Sequence, residues 1–308
     1  MIKIAIAGTS GLAQYMGHYL DTQTSHQFIF LSRNPNPGLS AKGWQVIQVN
    51  YTDVKDLHYK LTGIDIVIST IQGQAQLALI DAAAHMHVRR FIPAEFEGLP
   101  ALRPQSDILD RGKTAALNRL AHYRTNNGME SAVFACGVFY ERFAPGGMAS
   151  LQLGQSIYAN NEGDYLMDIR RMAAQIPYLD PAGNEVRICL TSAQDVVRFV
   201  VEALELPEWP TEFTMCGDRM TLNDVVGVAE NMMGIHQFHR VGHSVESLQH
   251  SLEYATSIGN MPEQWRLYQL LATAAGRYDF EEANLNAMVD VQPLTGLGVI
   301  LGSWVVML

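Results

Sequence analysis

The 308-residue sequence is poor in cysteine and lacks long apolar segments. Its three cysteines, Cys136, Cys189 and Cys216, lie far apart without the spacing of metal ligands, which is typical of a reducing compartment. No stretch approaches the roughly 20 apolar residues that a membrane-spanning helix needs, and the N-terminal apolar run is too short for a signal peptide. We therefore expect a cytoplasmic protein without a membrane partner, in which the apolar residues 296–308 form a buried or domain-capping tail.

Charge is also scarce, since charged residues make up 17% of the chain and the formal net charge is −10. No cluster of lysines or arginines provides the basic patch that nucleic-acid binding requires, so no nucleic-acid partner is expected. The sequence contains no HExxH motif, no Cys/His metal-ligand spacing and no Gly-x-Ser-x-Gly elbow. Metal sites and serine-nucleophile chemistry are therefore not predicted. The expected partner is a small-molecule substrate, and a homodimer is left open.

The first strand, turn and helix form the most informative segment of the sequence. An apolar run over residues 1–7 predicts a strand, Gly8 and Gly11 interrupt it, and residues 12–20 predict a helix. Backbone N–H groups and the positive end of the helix dipole then face the turn, where glycine lets a pyrophosphate approach the backbone. This pattern is typical of dinucleotide binding, although an ordinary tight turn of an α/β protein produces it too.

The glycine pattern departs from the usual dinucleotide fingerprint at one position. Fingerprints place a third glycine three residues after the second, where this chain has Gln14. Gly17 lies one helical turn later, and we expect it to restore part of the close packing between helix and strand. The effect of Gln14 on cofactor affinity is left open.

Strands and helices alternate through the first half of the chain. The predicted strands cover residues 1–7, 26–31, 44–49, 65–69, 90–92 and 131–135, and the predicted helices cover 12–20, 53–61, 74–86 and 107–125. This alternation predicts an α/β fold with a Rossmann-type, doubly wound parallel sheet. After residue 140 the elements become shorter and mixed. We therefore predict an NAD(P)-binding domain over residues 1–140 and a smaller mixed α/β substrate-binding lobe over 141–308, interleaved with the first.

Five stretches together resemble the NmrA-like and isoflavone-reductase-like family of atypical short-chain dehydrogenases/reductases. They are IAIAGTSGLAQYMG near the N-terminus, LSR at 31–33, DIVISTIQGQ at 65–74, RRFIPAEFEG at 89–98, and Lys113 with the later Gly137-Val-Phe. The fourth stretch is the most specific, because it matches the family's Phe-Ile-Pro-(Ser/Ala)-Glu-Phe-Gly signature apart from Glu97. The resemblance covers residue 1 to about 295. It implies a Rossmann fold and dependence on a nicotinamide cofactor.

The end of the second strand indicates which nicotinamide cofactor is used. Ser32 and Arg33 stand where NAD-binding proteins carry an acidic residue, and a guanidinium can hold a 2′-phosphate in bidentate geometry. The alternative is a solvated surface arginine. We predict NADP(H). The residues expected to bind it are Gly8, Thr9, Ser10, Gly11, Leu12, Ser32, Arg33, Thr70, Ile71, Gln72, Pro93, Glu95 and Phe96.

The remaining candidate residues surround the expected position of the nicotinamide. Glu95 and Phe96 have two interpretations, since they either line the site or shape the loop after the fifth strand. Phe139 and Tyr140 begin a variable stretch that is expected to bind substrate. Lys113 is the catalytic candidate, because the family places a lysine here, which implies general acid/base work beside hydride transfer. Without the resemblance, a solvated lysine in the first turn of a helix would be the preferred interpretation.

Tyr51 and Lys55 match the Tyr-x-x-x-Lys pair of classical short-chain dehydrogenases. They follow the third strand, too far along the usual topology to reach a nicotinamide, so we interpret the match as chance.

The predicted function is that of an NADPH-dependent reductase that transfers hydride to a small aromatic or polyketide-like metabolite, in secondary metabolite biosynthesis. The alternative is a non-catalytic NmrA-like redox sensor that binds NADP(H) and regulates a partner. Lys113 favours the enzyme, because that branch generally lacks the catalytic residue, whereas Gln14 gives the sensor some weight.

Overall fold

The computed structural model describes residues 1–104, 107–155, 157–234, 237–293 and 296–305. Residue 295, where the resemblance ends, and the last three residues of the apolar tail lie outside the described residues. Tertiary contacts divide the chain into two compact units. Unit 1 consists of Met1–Phe96, Asp110–Phe134 and Val197–Phe213, and unit 2 of Glu97–Leu109, Ala135–Val196 and Thr214–Leu308. The domain boundary expected at residue 140 stays a prediction.

Strands and helices alternate through the first half of the chain as predicted, but the strand predicted over 131–135 is divided into two short strands that belong to different sheets. The strands are β1 Lys3–Ala7, β2 Gln27–Ser32, β3 Val46–Gln48, β4 Ile66–Ser69, β5 Arg90–Ile92, β6 Glu130–Ser131, β7 Val133–Ala135, β8 Val138–Phe139, β9 Met167–Asp168, β10 Ala173–Ile176, β11 Arg187–Thr191, β12 Glu212–Thr214, β13 Asp218–Thr221 and β14 His239–Gly242. The helices are α1 Leu12–Gln23, α2 Pro37–Ala41, α3 Val54–Lys60, α4 Gln74–His85, α5 Lys113–Asn127, α6 Ala193–Ala203, α7 Leu222–Met232, α8 Val245–Ser257, α9 Met261–Ala274, α10 Asn284–Met288 and α11 Leu297–Val305.

Unit 1 is built on a six-stranded parallel sheet with the strand order β3-β2-β1-β4-β5-β6. The central strands β1 and β4 are continuous apolar runs because both faces of a parallel sheet are covered by helices. The order reverses between β1 and β4, and in such sheets ligands bind beyond the carboxyl ends of the strands at this reversal. The predicted α/β, Rossmann-type fold class is confirmed.

Two local expectations in unit 1 are corrected. Pro37–Ala41, where no helix is predicted from the sequence, form α2, because Asn36 accepts a hydrogen bond from the Leu39 N–H and Pro37 occupies the first helical position. The helix expected from residue 107 begins at Lys113. Gly112 ahead of it has a left-handed backbone, with φ of 82°, which ends the preceding turn and starts the helix.

Unit 2 contains two three-stranded sheets, ordered β14-β10-β9 and β13-β11-β8. Its main apolar core gathers side chains from these strands and from α7, α8, α9 and α11. Thr221 and Asp224 form a reciprocal capping box at the start of α7. In the described part of the tail, Leu297 and Leu301 belong to this core, as expected of a buried tail.

Two further features concern the helices and the acidic, histidine and cysteine side chains of the described ranges. None of the helices there is long and apolar enough to cross a bilayer. No group of three or more His, Cys, Asp or Glu side chains there could hold a metal ion.

Candidate active site at the carboxyl edge of the parallel sheet

The turn after β1 passes so close to its neighbour that only glycine fits at position 8. Gly8 has φ of 113°, and a Cβ on it would lie 2.1 Å from Oγ1 of Thr70. The Thr70 hydroxyl in turn donates to the Ala7 carbonyl at 2.8 Å, while the Gly8 N–H donates to the Leu31 carbonyl at 3.0 Å. The glycine turn and the Thr70–Gln72 loop, two of the segments predicted to bind the cofactor, are therefore in direct contact.

Gln14 and Gly17 show how the turn and α1 pack although the third glycine of the fingerprint is replaced. The Gln14 side chain turns back and donates from Nε2 to the Thr9 carbonyl at 3.1 Å, so it fastens the glycine turn to α1. A Cβ on Gly17 would lie 2.6 Å from Cζ of Phe30, which shows that α1 approaches β2 at this residue. The expected close packing at Gly17 is confirmed.

Three helices that start beyond the carboxyl ends of strands share an unusual N-cap. Gly11, Gly73 and Gly112 precede α1, α4 and α5, and none of these glycines has a side chain that could cap its helix. At α5, the Asp110 carboxylate takes this role and accepts the N–H groups of Gly112 and Thr114 at 3.0 and 2.9 Å. By contrast, side chains of Asn36, Asp53, Thr221, Ser244 and Asn260 cap α2, α3, α7, α8 and α9. The starts of α1 and α4 are thus without a side-chain cap, and the helix dipole favours an anionic ligand there.

The starts of α4 and α5 adjoin, because a Cβ on Gly112 would lie 3.4 Å from Cα of Gly73. Next to Gly73, the Gln72 Oε1 atom is buried without a hydrogen-bond partner among the described residues. A buried acceptor without a donor is costly unless a ligand completes it. The orphaned amide oxygen and the glycine cradle both fit a nicotinamide dinucleotide, which carries ribose hydroxyls and a pyrophosphate.

Lys113 is buried, not solvated. It is the first residue of α5, only 5% exposed, and its Nζ lies 3.6 Å from Oε1 of Glu95, which is 1% exposed. A side chain in the first turn of a surface helix would ordinarily reach water. Here the ammonium sits beside a carboxylate at the carboxyl edge, where it can hold and deliver a proton.

The loop that carries Glu95 is tied to α4 by a residue that the sequence did not single out. Gln76, 1% exposed, accepts the Ala94 N–H through Oε1 at 2.7 Å, and the Glu95 N–H donates to the Pro93 carbonyl at 2.7 Å. The Phe96 ring lies 6.4 Å from that of Phe134. Gln76 looks like an ordinary helix residue in the sequence, whereas Gly73 stands directly ahead of the helix predicted over 74–86. Gly112 falls inside the helix predicted over 107–125, so its position ahead of α5 was not visible in the sequence.

Arg33 follows β2 at the same edge and is exposed. Its backbone carbonyl accepts a hydrogen bond from the Gln48 side chain at 3.1 Å, so the main chain there is held while the guanidinium faces water. Tyr51 is buried nearby, and its phenol donates to the Leu31 carbonyl at 3.1 Å. Burial raises the pKa of Tyr51, and the charge of Arg33 opposes this. Because Lys55 lies on α3 while Tyr51 precedes it, the Tyr-x-x-x-Lys match is not on one helix face.

Phe139 and Tyr140 belong to unit 2, where Phe139 ends β8. Tyr140 is fully buried, and its phenol donates to the Asp218 carboxylate at 2.5 Å. Burial and this bond raise the pKa of Tyr140, so the hydroxyl keeps its proton. Their role toward a substrate stays a prediction.

The chain is similar in sequence and in fold to several known proteins. A family model described as NAD(P)H-binding matches residues 8–142. Oxidoreductase BOA1 of Botryotinia fuckeliana (strain B05.10) is 29% identical over 258 residues, which are 76% of this chain and 77% of that protein. Leucoanthocyanidin reductase of Vitis vinifera, solved with NADPH, has a TM-score of 0.69 at 16% identity and 99% coverage of both chains. The quinone oxidoreductase QOR2 of Escherichia coli, also solved with NADPH, has a TM-score of 0.70 at 17% identity, with 98% of this chain and 99% of that one covered.

These comparisons agree with the resemblance found in the sequence. The predicted NAD(P)H-binding domain and its Rossmann-type fold are confirmed. The curated relative is an oxidoreductase, which is the predicted class of enzyme. The family-model match contains the glycine turn, the Thr70–Gln72 loop, Glu95 and Lys113.

Proposed function

We propose that this NAD(P)H-binding oxidoreductase transfers hydride from NADPH to a small aromatic or polyketide-like metabolite, with Lys113 as its general acid. The observation that carries the proposal is the buried Lys113–Glu95 pair at the start of α5, next to the glycine-capped start of α4. A buried lysine is costly to maintain unless it is paired, and this one is paired at the edge where ligands of such sheets bind. A purely structural turn requires no such pair.

The cofactor is held by the chain's own backbone and by Arg33 in this proposal. The N–H groups at the start of α1 receive the pyrophosphate, and the Thr70–Gln72 loop and the Pro93–Phe96 loop flank the ribose and the nicotinamide. Arg33 binds the 2′-phosphate, because its guanidinium is exposed and no carboxylate stands at the end of β2. When bound, NADPH supplies the hydride.

The proton is supplied by Lys113. Its Nζ donates to the substrate atom on which negative charge develops, and the Glu95 carboxylate stabilises the ammonium form between turnovers. One hydride and one proton are then added to the substrate, which balances the reduction. General acid catalysis of this kind contributes typically 10²–10⁴-fold to the rate.

The substrate class is argued from the similar proteins and from unit 2. By their names, the two similar structures act on a leucoanthocyanidin and on a quinone, which are both oxygenated ring compounds. Phe139 and Tyr140 stand at the start of the segment proposed to bind such a ring. A tailoring step in secondary metabolism of the cytoplasm is the role proposed for the enzyme.

Two titrations test the cofactor assignment. Binding of NADPH and of NADH to the purified chain is measured by calorimetry, for the wild type, Arg33→Ala and Arg89→Ala. Arg89 is exposed ahead of β5, at the opposite edge of the same sheet, so it controls for net charge. Loss of a charge-assisted phosphate contact should weaken NADPH binding by roughly 10–100-fold in Arg33→Ala only and leave NADH unchanged. Equal weakening in both variants would remove Arg33 from the site.

Turnover tests the catalytic assignment with a panel of quinones and phenolic ketones. Lys113→Met should lower kcat by about 10²-fold or more while the Kd for NADPH changes little. Lys55→Met is the matched control, since it removes the lysine of the chance motif. Tight NADPH binding by the wild type without turnover of any compound would instead favour the non-catalytic sensor. Normal turnover in Lys113→Met would refute the role of Lys113.

A further inference from the structure

Two of the three cysteines meet in a small apolar cluster of unit 2, although they are distant in the sequence. Cys189 is fully buried on β11, and Cys216 precedes β13 and is partly exposed. The Cys189 thiol has two acceptors within reach, the Cys216 sulfur and the Phe280 carbonyl oxygen at 3.4 Å. The two side chains therefore pack in one cluster, in which Cys189 is buried and Cys216 is partly exposed.

The main chain at Cys216 is fixed on both sides. Its N–H donates to Oδ1 of Asn286 at 3.0 Å, and its carbonyl accepts from Nδ2 of the same side chain at 2.8 Å. Asn286 belongs to α10, so this helix holds Cys216 in place beside β11. A pair of thiols with little freedom to separate loses little conformational entropy when it becomes linked.

The surroundings of Cys216 lower the pKa of its thiol. The Cys189 thiol and the Leu190 N–H both donate to its sulfur and lower the pKa of Cys216, although burial and the charge of Asp218 oppose them. The same contact raises the pKa of Cys189, which keeps its proton. Since the thiolate is the nucleophile in thiol chemistry, we expect Cys216 to be the more reactive thiol of the two and Cys189 the less reactive one.

We propose that Cys216 and Cys189 are the attacking and resolving cysteines of a reversible, peroxide-driven disulfide. The Cys216 thiolate attacks one oxygen of a hydroperoxide, the O–O bond breaks, and the Cys216 sulfenic acid forms with release of hydroxide or alkoxide. The Cys189 sulfur then attacks the sulfenic sulfur, an S–S bond forms, and water leaves. Two thiols are oxidised and one peroxide is reduced, and a dithiol reductant reverses the change.

The disulfide does not depend on the proposed reductase activity, so the test uses the full chain with hydrogen peroxide and no substrate. Intact mass should fall by about 2 Da and a Cys189–Cys216 linked peptide should appear, with both changes reversed by dithiothreitol. Iodoacetamide at neutral pH should modify Cys216 roughly tenfold faster than Cys136 or Cys189. Cys136, the third and buried thiol, is the internal control, and Cys136→Ser should oxidise as the wild type does.

Variants of Cys189 and Cys216 distinguish the attacking cysteine from the resolving one. In Cys189→Ser, Cys216 should be trapped as a dimedone adduct of the sulfenic acid and no linked peptide should form. In Cys216→Ser, Cys189 should stay reduced at peroxide concentrations that oxidise the wild type. Oxidation of Cys216 in the wild type to sulfinic acid without a link to Cys189 would overturn the proposal. Alkylation of Cys216 no faster than that of Cys136 would also overturn it, and both measurements on the wild type hold even where a variant fails to fold.

Discussion

Glu141 gives the stability of unit 2 a pH dependence that can be calculated. Its carboxyl group is 3% exposed, and Oε1 accepts the Ala193 N–H at 2.9 Å at the start of α6. Oε2 is buried with no hydrogen-bond partner among the described residues. Burial first, and then the negative charge of Asp195 on α6, raise the pKa of Glu141 to about 7, against the opposing effect of backbone N–H groups.

The magnitude of this stabilisation follows from the difference between the pKa values of Glu141 in the folded and the unfolded chain. Glutamate starts from 4.5, so the folded state binds the proton more tightly by about 2.5 pKa units, or roughly 3 kcal/mol. Between pH 4.5 and 7 the folded chain carries more protons than the unfolded one. The stability that protonation provides is therefore complete below pH 4.5 and is lost as the pH rises through about 7.

Glu141→Gln removes the charge and keeps an oxygen for the Ala193 N–H. Urea unfolding of wild type and variant at pH 5 and pH 8 measures the effect. From pH 5 to pH 8, the free energy of unfolding of the variant should rise by roughly 2.5 kcal/mol relative to that of the wild type. A pH-independent offset from imperfect fitting of the amide cancels in this difference. Glu185→Gln, at an exposed carboxylate of the same unit, should show no such gain. If the difference in unfolding free energy between wild type and Glu141→Gln is the same at both pH values, the reasoning is refuted.

Two further substitutions test the packing of unit 1. Gly8→Ala should abolish NADPH binding or reduce it strongly, because its Cβ would meet Oγ1 of Thr70 and its φ of 113° is strained for alanine. Gly63→Ala, at a glycine with φ of 73° in open space, is the control and should leave binding unchanged. Unaltered NADPH binding by Gly8→Ala would contradict the steric argument. Arg90→Met should cost about 3–5 kcal/mol of unfolding free energy in urea, because Arg90 is buried, pairs with Glu130, donates to three carbonyls after α6 and stacks on Trp209. Arg89→Met, at the exposed neighbouring arginine, should change it by less than roughly 0.5 kcal/mol, and an equal loss in both would contradict this account.

The sheet of unit 1 was predictable because its determinants are local. Buried parallel strands are short apolar runs, and β1, β4 and β5 appear in the sequence close to their observed bounds. Helix α2 was missed although Asn36 and Pro37 carry ordinary signs of a helix start.

The charged residues of the candidate site were less accessible to sequence reasoning. Neither the burial of Lys113 nor its approach to Glu95 follows from spacing, because the two residues lie on different elements and burial is a tertiary property. The same holds for Gln76, whose side chain supports the Glu95 loop from α4. Sequence reasoning reached Lys113 and Glu95 only through the family resemblance, and their roles stay proposals.

Glycine at a helix N-cap is the feature of this sequence that most directly marks the site. Serine, aspartate or asparagine stabilises a helix start better than glycine by only a few tenths of a kcal/mol, so glycine at Gly11 and Gly73 costs little. An aspartate there would place a carboxylate where a phosphate is to bind, whereas glycine leaves the N–H groups open. Helices α2 and α3 in the same unit keep Asn36 and Asp53 as caps. Gln14 lies within α1, beyond its N-cap, which is why its departure from the fingerprint leaves the anion-facing turn intact.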